Sequence, residues 1–247
     1  MTVVVHVVDL DLPAPDLDRL TSTLDDGERR RAASLGSPLL RSRFAACHGW
    51  ARVALGRELG VDPREVPLVA PADSKPRVEA TPLRFSWSRS AGVAVIALSW
   101  SGEVGVDVEV TGHDGDPLRF ASRWFTPAEQ RIVREAAPRA RSRRCLEIWT
   151  RKEAYLKATG AGLSVSPSGI EVAHDDLGPI RLSGYLVRQL DLGPNLASAV
   201  AVADQAAVAV ADSRAVAAQH SRRRRRTSSG RRALGLSLRN LELGDQA

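Results

Sequence analysis

Asp107 and Glu109 stand two residues apart in GVDVEV, residues 105–110, where every other position is Gly or Val. On a strand, side chains two apart leave the same face, so the carboxylates point together while Val106, Val108 and Val110 turn to the other side. Two adjacent anions repel unless water solvates them on an exposed face or a cation lies between them. A divalent metal is the alternative with chemical content, and hard oxygen donors with open positions suit Mg2+. A second set lies in EIWTRKEAYLKATG, residues 147–160. Trp149, Glu153 and Lys157 recur there at four-residue spacing and share one helix face. Alone, Glu153 and Lys157 read as a surface ion pair and Trp149 as a core residue. Together with the strand pair they make three carboxylates and an ammonium, parts suited to chemistry on a phosphate ester.

Several elements must position these groups. GVDVEV closes a run of three strand-like segments, LRFSWS, VAVIALS and EVGVDVEV, separated by turn residues and predicting an antiparallel meander. The helix bearing Glu153 runs from about Arg139 to Thr159 and stops at Gly160-Ala161-Gly162. Ahead of it, Thr126, Pro127 and Glu129 supply an N-cap, a first-turn proline and a capping-box glutamate. In the first half, TVVVHVVDL predicts an opening strand. GERRRAASLGSPLLRSRFAACHGWARVALGREL, with Leu40, Phe44, Cys47, Ala51, Leu55 and Leu59 at spacings of three and four, predicts one long amphipathic helix. Later strand-like runs are GIEVAH, IRLSGYLVRQL, LASAVAVA and AAVAVA. The expectation is an α+β fold of two similar, pseudo-symmetric halves, 1–104 and 105–212, each an antiparallel sheet packed on helices, followed by a disordered tail, 213–247.

Composition agrees with a soluble globular chain of 247 residues, 43% hydrophobic and 26% charged. Cys47 and Cys145 are too far apart for a zinc-type pair and read as free thiols of a reducing cytoplasm. No apolar run reaches membrane-spanning length, and the amino terminus lacks a signal-peptide pattern. The net charge of +6 is local to the tail. Of 35 basic and 29 acidic residues, eight and two fall in 221–247, leaving 27 of each in the first 220. A polyarginine end after a neutral body reads as a solvated terminus rather than a reader of bases, so nucleic acid is not the expected partner.

GVDVEV and WTRKEAYLK, with 41 residues between Asp107 and Trp149, resemble the two signature motifs of the 4'-phosphopantetheinyl transferases. Those read (V/I)G(V/I)D, a spacer of comparable length, then (W/F)(S/C/T)xKE(A/S)xxK. Gly105, Asp107, Trp149, Thr150, Lys152, Glu153, Ala154 and Lys157 all match. Length and layout resemble the monomeric branch typified by the surfactin-synthetase-activating enzyme, which serves nonribosomal peptide and polyketide synthases, and the resemblance covers residues 1–212. It implies that the chain transfers the 4'-phosphopantetheine arm of coenzyme A to a carrier-protein serine and releases adenosine 3',5'-bisphosphate. Asp107, Glu109 and Glu153 would hold Mg2+, Glu153 would act as base, and Lys157 would neutralise charge with Asp107 alongside. SKPRV resembles the family's GKP segment, implying that Lys75 approaches a coenzyme phosphate, as would Arg43, Arg52, Arg29 and Arg31. FASRWFTPAEQ resembles the stretch that shapes the carrier contact, near Arg123, Trp124 and Phe125. The sequence departs from the family at FSWSRS, where the usual strand is FNxSHS. Ser88 is retained as a phosphate contact, and Arg89 stands at the histidine position, able to grip phosphate but not to titrate near neutrality. The rival readings are another Mg-dependent phosphotransferase or pyrophosphatase, and a non-catalytic protein that binds coenzyme A or, through its tail, nucleic acid.

Overall fold

The computed structural model describes residues 3–71, 75–112, 115–203 and 239–242. In chain order they form β1 (Val3–Asp9), α1 (Ala14–Thr21), α2 (Asp26–Ala33), α3 (Pro38–Leu59), β2 (Leu68–Val69), β3 (Arg77–Val78), β4 (Arg84–Ser90), β5 (Val93–Ser99) and β6 (Val104–Val110). Then come α4 (Pro117–Trp124), α5 (Pro127–Glu135), α6 (Arg141–Thr159), β7 (Ile180–Leu182), β8 (Tyr185–Gln189), β9 (Leu196–Ala203) and β10 (Arg239–Glu242). Helices with antiparallel strands make this an α+β protein, as expected. The chain divides into two compact units, one running to Val66 and taking in β10, the other spanning Pro67–Ala206. The division thus falls at Val66 rather than near residue 105. The expected meander ends at β5: β4 and β5 pair antiparallel, whereas β6 pairs with β9 in another sheet and meets β4 through side-chain hydrogen bonds.

In the first unit β1 pairs antiparallel with β10, from Val4 opposite Glu242 to Val7 opposite Arg239. This corrects the expected tail, 213–247, for four of its residues. LGLSLRNLEL alternates leucine with small or polar residues, a strand signal that the preceding arginines overshadow. The remainder of that tail, and AAVAVA at 206–211, lie outside the described residues. The single long helix expected over 27–59 is two. Asp25 and Glu28 form a capping box that starts α2, and α3 begins afresh at Pro38, whose missing N–H cannot continue a preceding helix. The expected one-sided apolar stripe is not what forms: from Phe44 to Gly56 every residue except His48 is buried, so α3 is enclosed on all its faces there. Leu40, at 54% exposure, lies outside that stretch. The short helix α1 was not among the expected elements; Pro13 precedes it and Pro15 stands in its first turn.

In the second unit β6, β9, β8 and β7 form a four-stranded antiparallel sheet in that order, with Asp107 opposite Ala199. Helix α6 packs on it through small residues, Ala154 and Ala158 against Val187, Ala199 and Ala201. Its other side meets α4 and α5 in a cluster built on Phe125, Ile132, Val133, Cys145, Ile148 and Leu156. The capping box of Thr126 and Glu129 starts α5 as predicted, and Gly160, with φ of 70°, ends α6. GIEVAH is not a strand. Its backbone is claimed by side chains instead: Val172 N–H donates to Glu129 Oε1 at 2.8 Å, and Arg151 Nη1 donates to the Val172 carbonyl at 3.2 Å. Among the described residues no helix is long and apolar enough to cross a membrane.

Candidate active site

Gly105 decides how closely α6 approaches β6. A Cβ there would lie 2.0 Å from the Ala154 carbonyl oxygen and 2.4 Å from Ala158 N, both backbone atoms of α6. Only glycine lets the helix rest on the strand. Residues 105, 107 and 109 share that face, so the two acids meet the turn of α6 that carries Glu153 and Lys157. The alternative of a solvated strand face therefore fails for Asp107. Asp107 is 3% exposed, and Val106 and Val108 on the opposite face are fully buried.

The geometry around Asp107 is tight. Oδ1 accepts hydrogen bonds from Ser88 Oγ and from Lys157 Nζ, each at 2.6 Å, and Lys157 also donates to the Val106 carbonyl at 3.3 Å. Oδ2 is buried without a hydrogen-bond partner among the described residues. Ser198 Oγ donates to the Asp107 carbonyl oxygen at 2.6 Å and fixes the backbone beneath it. Glu109 Oε2 accepts from Ser90 Oγ at 2.7 Å. Glu153 sits on the helix above, and its carboxyl is pushed above the usual range by burial first, then by the negative charge of Asp107 and, more weakly, of Glu109; Lys157 opposes them. Three carboxylates thus interact around one ammonium, an excess of negative charge with an orphaned oxygen in the middle.

Serine alternation on β4 supports this cluster and was missed in the sequence. Ser86 Oγ accepts from Val106 N–H at 3.2 Å, Ser88 reaches Asp107, and Ser90 both donates to Glu109 and accepts from Val110 N–H at 3.1 Å. Side chains take the place of a backbone ladder between β4 and β6. The signal was legible as serine at every second position of FSWSRS. Ser88 therefore touches a carboxylate here, and Arg89, the next residue along the strand, is exposed.

The other expected residues fall in distinct places. Lys75 donates to Glu103 Oε2 at 2.8 Å and to the Val104 carbonyl at 2.7 Å, beside the cluster. Arg29, Arg31, Arg43 and Arg52 belong to the first unit. Arg29 pairs with Asp26 at 2.7 Å, Arg31 is exposed, and Arg43 grips Asp11 with two 2.7 Å hydrogen bonds. Arg52 is 1% exposed; Asp25 and Glu28 hold it at 2.5 Å, and the Pro63 and Val66 carbonyls accept from it at 3.3 Å. A phosphate would have to displace two carboxylates to reach Arg52. Trp149 packs edge-on to Phe120, with ring centroids 5.1 Å apart, and belongs to the helical core. Phe125 is buried in that same core, whereas Arg123 is exposed and stacks over the Trp124 ring at 4.7 Å.

A cleft of about 380 Å³ opens beside Glu153 and Lys157, lined also by Lys75, Phe85, Ser86 and Trp87. It offers an aromatic wall, two ammonium groups and a carboxyl with raised proton affinity, a set suited to a phosphorylated ligand with an apolar arm. The model of the 4'-phosphopantetheinyl transferase superfamily matches residues 103–211, the segment that carries all four groups of the acidic cluster. The 4'-phosphopantetheinyl transferase HetI of a Nostoc species is 33% identical over 203 residues, 79% of this chain and 85% of that one. The chain belongs to the 4'-phosphopantetheinyl transferase superfamily. Two further transferases of the superfamily are AcpT of Salmonella typhi, 31% identical over 66% of this chain and 86% of its own, and a Bacillus subtilis enzyme, 26% identical over 53% and 58%.

Proposed function

We propose that this chain transfers the 4'-phosphopantetheine arm of coenzyme A to a serine of an acyl or peptidyl carrier protein, with Asp107, Glu109, Glu153 and Lys157 as its working groups. The carrying observation is the buried Asp107, tied at 2.6 Å to Lys157 with its second oxygen unpartnered, below a Glu153 whose proton affinity is raised by burial and then by that same carboxylate. Among the described residues no three His, Cys, Asp or Glu side chains form a ready-made metal cage. The donor set still fits Mg2+, because its oxygens are hard, their negative charge exceeds what Lys157 neutralises, and Asp107 Oδ2 lacks a partner. Asp107, Glu109 and Glu153 would hold the ion, which would offset the charge of the coenzyme diphosphate.

The remaining steps belong to the chain. The serine hydroxyl is a poor nucleophile until its proton leaves, and Glu153 is the base that takes it. The serine oxygen bonds to the phosphorus that bears pantetheine, the phosphoanhydride bond breaks, and adenosine 3',5'-bisphosphate departs. Lys157 faces the charge that develops on the departing phosphate. Lys75 and Arg89 bind phosphate oxygens, and Ser88 keeps Asp107 in place; Arg29, Arg31, Arg43 and Arg52 remain proposed phosphate contacts. Arg123 over Trp124 gives an exposed cationic and aromatic contact suited to an acidic carrier. All four working groups come from β6 and α6 of one chain, which supports a monomeric enzyme of the surfactin-synthetase-activating type.

Mass spectrometry of an apo carrier protein incubated with this chain, coenzyme A and Mg2+ tests the proposal. The expected result is one added phosphopantetheine arm on serine, lost when the metal is chelated. An unmodified carrier across representative acyl and peptidyl types overturns it.

A further inference from the structure

Two carboxylates of the site stand on β6, yet hydroxyls of β4, a strand of the other sheet, orient them. Asp107 is restrained several times over. It is 3% exposed, Ser88 and Lys157 hold its Oδ1, Ser198 holds its carbonyl, and its Oδ2 lacks a partner among the described residues. Glu109, two residues on, is only half-buried. Its Oε2 accepts from Ser90 Oγ at 2.7 Å, and the same Oγ accepts from Val110 N–H at 3.1 Å. A serine carries a single hydroxyl proton. The amide brings its own, so the hydroxyl proton turns to the carboxylate, and Ser90 is anchored to the β6 backbone while it grips a β6 side chain.

Ser90 is itself firmly placed. It is 9% exposed and pairs with Val93 across the β4–β5 hairpin, and Ala91 turns the chain with φ of 48°, a left-handed conformation that costs energy in a residue bearing a Cβ. Backbone strain of that kind persists where the surroundings require one geometry. An untethered glutamate must give up rotamer freedom when it ligates an ion, whereas one already held has given it up on folding. We propose that Ser90 is a positioning residue for the divalent ion: it holds the Glu109 carboxylate on the face shared with Asp107 and so sets how tightly the three acids bind Mg2+. This rests on the reading of Asp107, Glu109 and Glu153 as the acids that hold the metal.

Mn2+, a paramagnetic ion with the same preference for carboxylate oxygen, reports binding to the full chain by electron paramagnetic resonance, and calorimetry follows Mg2+. Ser90→Ala should weaken both by about ten- to a hundredfold, the range for losing the partner of a metal ligand. Ser90→Thr, which keeps the hydroxyl, should bind as the unsubstituted chain does. In a Glu109→Gln background the Ser90→Ala loss should vanish, because Ser90 acts through that carboxylate; a loss of general packing would persist. In the carrier assay the Mg2+ dependence of Ser90→Ala should move to higher concentration by the factor that calorimetry gives, with the rate recovered at saturating ion. Should urea unfolding show that the alanine chain does not fold, Ser90→Cys, similar in volume but a weak donor, is read in its place. Unchanged metal affinity in the folded variant, or an equal loss with and without Glu109, overturns the proposal. Absence of Mn2+ binding to the unsubstituted chain overturns it together with the three-acid reading. Metal binding that depends on Ser90 in a chain that modifies no carrier upholds the positioning role while the transfer reading falls.

Discussion

Two lysines five residues apart on α6 each stand 2.6 Å from a carboxylate, and they do opposite work. Lys152 and Glu129 are both fully buried. Lys152 also donates to the Pro167 carbonyl at 2.9 Å and to that of Ile170, while Glu129 accepts from Thr126 N–H at 3.0 Å and Val172 N–H at 2.8 Å. That pair is closed: one positive charge, one negative charge, every role filled. Lys157 and Asp107 are exposed by 30% and 5%, Asp107 keeps an orphaned oxygen, and Glu153 and Glu109 add charge that the lysine cannot cancel. A buried ion pair with complete partners holds structure together, whereas one left over-charged and incomplete stores the capacity to bind.

Removing one member of each set separates the two roles most sharply. Glu153→Gln should lower transfer by about 10²- to 10⁴-fold, the range for loss of a general base, in the mass-spectrometric carrier assay. Its stability to urea should hold or rise, because a carboxyl whose proton affinity the fold raises is destabilising in its ionised form. Lys152→Met should show the reverse pattern. It strands Glu129 without its cation and should cost about 3–5 kcal/mol in urea unfolding, with activity falling only as the folded fraction falls. Equal losses of activity and stability in both variants would erase the distinction.

Gly105→Ala probes what brings the open pair together. The added Cβ meets rigid α6 backbone, so the helix must lift from β6, at a cost of about 1–3 kcal/mol. Transfer should fall further than stability accounts for, since Lys157 and Glu153 ride on the displaced turn. The smallest effect is a titration. In the metal-free protein, carboxyl-carbon NMR should place the Glu153 transition above that of an ordinary glutamate. Asp107→Asn should shift it to lower pH, since removal of a neighbouring negative charge eases ionisation, and Glu109→Gln should shift it the same way by less. The opposite order would show that Glu109, not Asp107, is the nearer electrostatic neighbour.

Local signals carried the sequence reading where local physics decides. The capping box at Thr126, the glycine stop at Gly160 and the shared face of Asp107 and Glu109 depend on neighbours a few residues away, and each is present. The α6 motif gave its spacing but not its orientation: Lys152 and Glu153 are adjacent in sequence and turn to a sealed core and an open cleft respectively, a choice set by what packs against the helix. The same holds for Arg52, whose partners Asp25 and Glu28 lie more than twenty residues away. GIEVAH carries strand propensity, yet Glu129 and Arg151 claim its backbone.

The strand at Arg239–Glu242 lies downstream of the arginines at 222–226 and is paired with Val4–Val7. A trypsin-like cut among those arginines would leave the β10 segment held, among the described residues, by those four residue pairs. Its departure would bare a row of amides and carbonyls along β1, a template on which a second copy of the chain could add a strand. Material clipped at that point should therefore self-associate during storage, and an intact carboxyl-terminal mass is the quality check to make before any oligomeric state is assigned.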